Sequence, residues 1–278
     1  LRFDFGQRDP VLIKIEIPNG PSETYFPMKK LSLLFALALV TTAQAQTPTA
    51  TIRQYRQAHE HALLKEYVEF LSIPNIVGDT ASDLRKNAAF VAEMMRRRGI
   101  TPRLLDGPTP DVPPVVFGEV TVPGATQTVI FYAHYDGQPV NAANWAEGTA
   151  PFKPVLMTNS IENGGKIIPF PKEGETIDPS SRIIARAAAD DKAGIFTILA
   201  GYEALTKSGG KPKVNLKFFF EGEEEVGSKH LGDFLKKYQP LLAADLWVFC
   251  DGPVHQSGCK QVVFGCRGDV NMEIKVYG

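Results

Sequence analysis

Cysteine is scarce in this chain. Only 3 occur among 278 residues, too few for a disulfide-stapled scaffold. No two form a CxxC pair, which argues against a thiolate zinc site. Cys259 and Cys266 have a spacing a hairpin would bridge, but buried free thiols are the expectation for them and for Cys250. Charge of one sign is also lacking. The formal net charge is -1, which gives no electrostatic reason to expect nucleic acid or an anionic membrane as partner. Internal repeats and low-complexity tracts are absent. The apolar run Leu31 to Val40 is far shorter than the ~20 residues that span a bilayer. What remains is an ordinary globular composition, 44% hydrophobic and 22% charged, long enough for one large domain or one domain and part of another.

The N-terminus reads as a targeting segment. Residues 1–27 show no periodicity and are expected to be spurious upstream sequence or a cloning remnant. Met28 then opens Lys29-Lys30, the apolar run Leu31 to Val40, and Ala43-Gln44-Ala45. A basic start, an apolar core and an A-x-A site, in that order, describe a secretory signal peptide over 28–45. A secreted or periplasmic protein is therefore expected, mature from near Gln46, with no membrane attachment after cleavage.

From Thr51 to Phe70 the apolar spacing is helical, and Pro74 stops it. A second helix is expected from Ala81 to Arg98, ended by Gly99. Val115 to Val122 and Thr128 to His134 read as a hairpin or as neighbouring strands around Pro123-Gly124. Gly137 to Ser181 reads as a long functional loop with short strands. A helix over Lys192–Lys207 follows, with Gly209-Gly210 after it. Val214 to Phe220 and Leu246 to Cys250 are continuous apolar runs, the mark of parallel strands covered on both faces. A short helix, Lys229 to Tyr238, lies between them. Gln261 to Phe264 and Val270 to Val276 alternate, as one-sided strands of a second subdomain would. The fold class is α/β, a mostly parallel sheet with helices on both faces.

The chemistry collects at segment ends. TVIFYAHYD delivers His134 and Asp136. KVNLKFFFEGEEE delivers Glu221, Glu223, Glu224 and Glu225. ADLWVFCD delivers Asp251, and ARAAADDKAG places Asp190 and Asp191 before a helix. Ligands of open α/β sheets gather beyond the carboxyl ends of the strands. One His with several carboxylates suits a divalent metal, zinc foremost. Asp136 follows His134 at a spacing that lets it accept the other ring N–H, though an HxD pair also occurs on plain surfaces. Asp190 has the look of a helix N-cap as well as of a ligand, and Lys192 is placed to pair with either Asp. Three adjacent glutamates after a buried strand repel one another unless cations neutralise them. One of two adjacent Glu can bind metal while the other acts as general base.

Together, FYAHYDGQP, ARAAADDKAG, FFEGEEEVGS and VFCDGP resemble the ordered motifs of the di-zinc metallopeptidase family of carnosinase-like dipeptidases, aminoacylase, carboxypeptidase G and succinyl-diaminopimelate desuccinylase. The resemblance covers about Thr51 to Gly278. It implies that His134, Asp190 and Asp251 bind one zinc. Asp190 would bridge to a second zinc held by Glu225, with Glu224 as general base and Asp136 orienting His134. Two zinc ions are implied, with manganese or cobalt as alternatives. The substrates implied are small peptides or N-acyl amino acids. The family shows Arg-Gly and Lys-Gly where this chain has Arg186-Ala187 and Lys192-Ala193.

The family also inserts a lid or dimerisation domain and then returns with a late His that completes the second zinc site. The expected organisation is a catalytic portion over 46–264 and the start of the lid over 265–278. An N-terminal portion, inactive alone, is the expectation, with homodimerisation through the lid. His59, His61, His230 and His255 are read as structural or surface residues. A non-catalytic exported zinc- or peptide-binding module is the alternative, and a deacylase or carboxypeptidase the alternative within the family. A solute-binding protein leaves the carboxylate crowding unexplained. N-terminal sequencing of the exported protein is expected to find a start near Gln46; a secreted form still carrying residues 1–27 would contradict the leader.

Overall fold

The computed structural model describes residues 48–78, 81–252, 257, 261–265 and 272–277. The signal segment, His255, Cys259 and Cys266 lie outside them. Helix α1 (Pro48–Leu71) and helix α2 (Ala81–Arg97) lead into β1 (Pro102–Leu105), β2 (Val115–Val120) and β3 (Thr128–His134). After the short strands β4 (Val155–Met157), β5 (Ile167–Ile168) and β6 (Arg182–Ile184) come helix α3 (Lys192–Lys207) and β7 (Asn215–Glu221). Helix α4 (Leu231–Lys237) and β8 (Leu246–Phe249) follow. Among the described residues, no helix is long and apolar enough to cross a membrane.

The main sheet has the order β1-β2-β7-β3-β8. β7, β3 and β8 are parallel, whereas β1–β2 and β2–β7 are antiparallel. The sheet is therefore mixed, with its parallel block where the apolar runs lie. β2 and β3 are not neighbours: β7 inserts between them, which corrects the hairpin expectation. The PGATQ turn reverses the chain, but the pairing is decided by β7, whose two apolar faces need covering.

Alternation along the strands divides the interior in two. Phe218 and Phe220 join Val116 and Ala133 in a core under α1, α2 and α3. Phe219, one residue between them, joins Phe117, Ile130 and Tyr132 in a second core closed by Phe234 of α4. The FFF run is thus one strand serving both faces. Register then sets His134 of β3 directly beside Glu221 of β7, so both chains turn toward the same edge at the same level.

Residues 137–181 carry short strands within a long loop, as their composition predicts. β4 pairs antiparallel with β5 and β6, and short 3-10 turns cover Ala142–Asn144 and Ile161–Asn163. Residues 261–265 and 272–277 form no strand, contrary to their alternating pattern, and Val262, Val263, Phe264, Ile274 and Val276 are exposed. Alternation supplies an apolar face, but a strand also needs a partner, and none pairs with them among the described residues. Cys250 is a free thiol.

Three helices are tied at one point by Arg98. Its guanidinium, 2% exposed in the side chain, lies 2.6 Å from Glu66 of α1 and 2.9 Å from Glu203 of α3. Between β6 and α3 the backbone is strained. Ala187 is buried and holds φ at 63°, the left-handed region that suits glycine. Ala187→Gly is expected to raise unfolding stability by roughly 1 kcal/mol, the relief of left-handed strain outweighing the entropy of a freer unfolded chain. Urea denaturation would measure it, and a destabilised variant would contradict the strain.

Candidate metal centre

β3 ends on His134, whose ring is fully buried. Three carboxylates face its Nε2: Asp190 at 3.1 Å, Asp251 at 3.5 Å and Glu224 at 3.6 Å. They come from three segments, the turn before α3, the end of β8 and the turn after β7. The ligand atoms of His134, Asp190 and Asp251 all lie within 4.8 Å of one another.

The other ring nitrogen, Nδ1, is 3.2 Å from Asp136 Oδ1, but not aligned as a hydrogen bond. Asp136, also fully buried, does more than face the ring. Its Oδ1 accepts the Glu224 N–H at 3.2 Å and its Oδ2 accepts the Glu225 N–H at 3.0 Å. Glu225 stands outside the three-residue group, and its Oε2 accepts from Gln138 Nε2 at 2.5 Å.

Two sequence expectations change here. The N-cap of α3 is Asp191, not Asp190: its Oδ1 accepts the Gly194 N–H at 3.1 Å. That one-residue shift leaves the Asp190 side chain 66% exposed and free to face His134. A Cβ at Gly194 would collide with the Asp191 carboxylate, so the cap needs glycine there. Asp191 Oδ2 also accepts the His134 backbone N–H at 3.3 Å. The peptide between Asp190 and Asp191 is cis. Lys192 pairs with neither Asp. Its buried ammonium donates to Phe70 O and Ile73 O, each at 2.8 Å, and burial pushes its pKa well below the usual lysine value.

Other residues support the turns. Glu221 is buried and accepts from Tyr132 Oη, and from Ser228 Oγ at 2.8 Å. Glu223 is held by His230 Nδ1 at 2.9 Å. His59 Nδ1 contacts Tyr55 O at 2.8 Å and His61 Nε2 contacts Glu175 O at 2.7 Å. Sequence reasoning named Asp191 without giving it a role of its own and passed over Gln138. The even spacing of His134, Asp136 and Gln138 was the available signal for the latter.

The electrostatics fit a cation. Burial, and then the neighbouring carboxylates, raise Asp251 and Glu224 above the usual carboxylate values, with His134 opposing. Burial likewise lifts Asp191 to about 7. For His134, burial disfavours the charge, but Asp136, Asp191 and Asp251 outweigh it and hold the pKa at about 10. One imidazole with converging hard oxygens is a donor set for zinc or a similar divalent ion. His134, Asp190 and Asp251 are placed to hold one.

Residues 130–273 match the profile of peptidase family M20/M25/M40, just over half of the chain. The chain belongs to this metallopeptidase family. Among curated relatives, it is 28% identical to Cys-Gly metallodipeptidase dug1 of Schizosaccharomyces pombe, over 75% of this chain and 41% of that protein. It is 22% identical to human Beta-Ala-His dipeptidase, over 80% of this chain and 42% of that one. The chain therefore spans about two fifths of the length of these relatives. Among solved structures, an M20 family metallo-carboxypeptidase of Sulfolobus solfataricus is 28% identical with a TM-score of 0.55, covering 70% of this chain and 38% of the other. The di-peptidase Dug1p of Saccharomyces cerevisiae, at 23% identity and a TM-score of 0.58, shares the fold over 74% of this chain and 41% of its own.

A pH dependence follows for the metal-free protein. Both His134 and Asp191 have folded pKa values above their ordinary ones, 6.5 and 3.8. Their contributions are complete below the ordinary value and are lost as pH rises through about 10 and about 7, respectively. Metal-free stability is expected to fall across those windows, as urea denaturation at pH 5, 7 and 9 would measure. Zinc binding requires the neutral ring, so uptake near pH 7.5 is expected to release a proton. Calorimetry in two buffers of different ionisation enthalpy would detect it, and uptake without proton release would contradict it.

Proposed function

We propose that this chain carries the metal-binding half of an exported zinc-dependent peptidase that hydrolyses the amide bond of dipeptides or N-acyl amino acids. The observation that carries this reading is the convergence of Asp190, Glu224 and Asp251 within 3.1–3.6 Å of one buried imidazole nitrogen. Crowding of that kind is unfavourable without a cation. The names of the relatives, Cys-Gly metallodipeptidase and Beta-Ala-His dipeptidase, support a small-peptide substrate. The Sulfolobus neighbour, a metallo-carboxypeptidase, supports a carboxypeptidase as the second reading.

His134, Asp190 and Asp251 would hold one zinc, and Asp190 and Glu225 would serve as ligands of a second. Bound zinc polarises a substrate carbonyl and lowers the pKa of water. The remaining work falls to Glu224. Its carboxylate is half-buried beside His134, with a pKa raised first by burial and then by Asp251, Glu225 and Asp136. A raised carboxylate is a stronger base. Glu224 takes the proton of the attacking water and passes it to the leaving amine. Asp136 holds the Glu224 backbone N–H at 3.2 Å, so the base sits on a turn that does not drift.

Glu224→Gln keeps the shape and removes the base. In a full-length protein that carries this chain, dipeptide hydrolysis is expected to fall by about a hundredfold or more, while zinc content by elemental analysis stays unchanged. A Glu224→Gln variant with full activity would remove Glu224 from this role.

A further inference from the structure

The strip that leaves β3 is held along its backbone from both sides. Tyr135 N donates to Glu221 O and Gly137 N donates to Asn75 O, each at 2.9 Å. Asn75 Nδ2 adds a bond to Tyr135 O at 2.9 Å. With the odd residues anchored this way, the even ones meet the turn after β7. His134 faces Glu224, Asp136 accepts from the Glu224 and Glu225 N–H groups, and Gln138 donates to the Glu225 carboxylate.

The turn needs these partners. Glu224–Val226 is a single 3-10 turn. Its internal bonds use the N–H groups of Val226, Gly227 and Ser228, and leave those of Glu224 and Glu225 to find acceptors elsewhere. Both oxygens of one buried carboxylate take them. On the side-chain end, Gln138 Nε2 meets Glu225 Oε2 at 2.5 Å. Glu225 is thus fixed at its backbone and at its carboxylate. The donor at 138 is neutral. A lysine or arginine there would also bind the carboxylate, but its charge would oppose a cation at the same oxygen pair. An amide orients the carboxylate without that competition. On the flank, His230 holds Glu223, the residue that opens the turn.

We infer that Asp136 and Gln138 are positioning residues that preset the Glu224–Glu225 turn, so that Glu225 presents its carboxylate to the metal pair before an ion arrives. The metal part of this inference rests on the reading of Glu225 as a ligand given above. The clamp itself does not, because its bonds form without an ion.

The test therefore begins with the metal-free protein. In its NMR spectrum, one Gln138 side-chain amide proton is expected downfield and protected from exchange, returning to the ordinary position in Glu225→Ala. In Asp136→Asn, which keeps the volume but only one acceptor oxygen, exchange at the Glu224 or Glu225 amide is expected to rise about tenfold or more. The third measurement adds zinc. Gln138 is exposed, so Gln138→Ala leaves the core intact. A competing chelator is expected to strip zinc from Gln138→Ala at about tenfold lower concentration than from the unsubstituted chain. An ordinary Gln138 resonance, unmoved by Glu225→Ala, overturns the role of Gln138. Undiminished protection of both amides in Asp136→Asn overturns that of Asp136. Equal zinc retention by Gln138→Ala overturns its bearing on the metal. Should the unsubstituted chain take up no zinc at all, the functional reading of Glu225 fails, and the metal-free measurements still decide the clamp.

Discussion

Three carboxylates gathered at 3.1–3.6 Å around one buried imidazole nitrogen set the terms for the rest of the domain. Each is repelled by the others, and the strands and turns that carry them must hold that repulsion in place. Charge on His134 offsets part of it in the metal-free state. A divalent ion would offset more, because it replaces one proton with two charges at the centre of the cluster. The supporting bonds are mostly backbone to side chain. Asp191 takes the His134 N–H, and Asp136 takes those of Glu224 and Glu225. These bonds hold the ring and the Glu224 turn in place, so the crowd around Nε2 cannot relax by moving either.

The sheet gives this cluster its depth. Phe218, Phe219 and Phe220 point into opposite cores by turns, so β7 cannot slip by one residue without exchanging its faces. That fixes Glu221 opposite His134 and sets the turn bearing Glu224 at the level of the ring. The geometry of the cluster is in this sense a by-product of apolar packing: two hydrophobic cores hold the register, and the register brings the polar groups together.

Much of this was legible in the sequence because it is local. The helix over Lys192–Lys207 appears with the bounds its periodicity predicts, and the apolar runs ending in FFFE and WVF are the parallel strands β7 and β8. The residues at their ends, with His134 and Asp190, are the ones that meet. What was not legible depends on distant pairing or on one-residue offsets. Nothing in PGATQ says that β7 will enter between β2 and β3. The choice between Asp190 and Asp191 as helix cap turns on a backbone bend that spacing does not encode. The partners of Lys192 are carbonyls at the end of α1, more than a hundred residues earlier, and carbonyls leave no mark in a sequence. The alternation of 272–277 was legible as an apolar face, but a pattern does not specify its partner.

The Lys192 side chain joins the carbonyls of Phe70 and Ile73, at and just past the end of α1, to the segment that bears Asp190 and Asp191. Helix ends leave carbonyls without internal partners, and here one buried side chain from the segment bearing Asp190 and Asp191 satisfies two groups at that end. Docking of the first helix and placement of the acidic pair thus share one side chain. Any ion that favours the placed form of Asp190 also favours the docked form of α1, by linkage. Occupancy of the centre would then be felt at the opposite end of a 24-residue helix, as a change in how firmly that helix is seated.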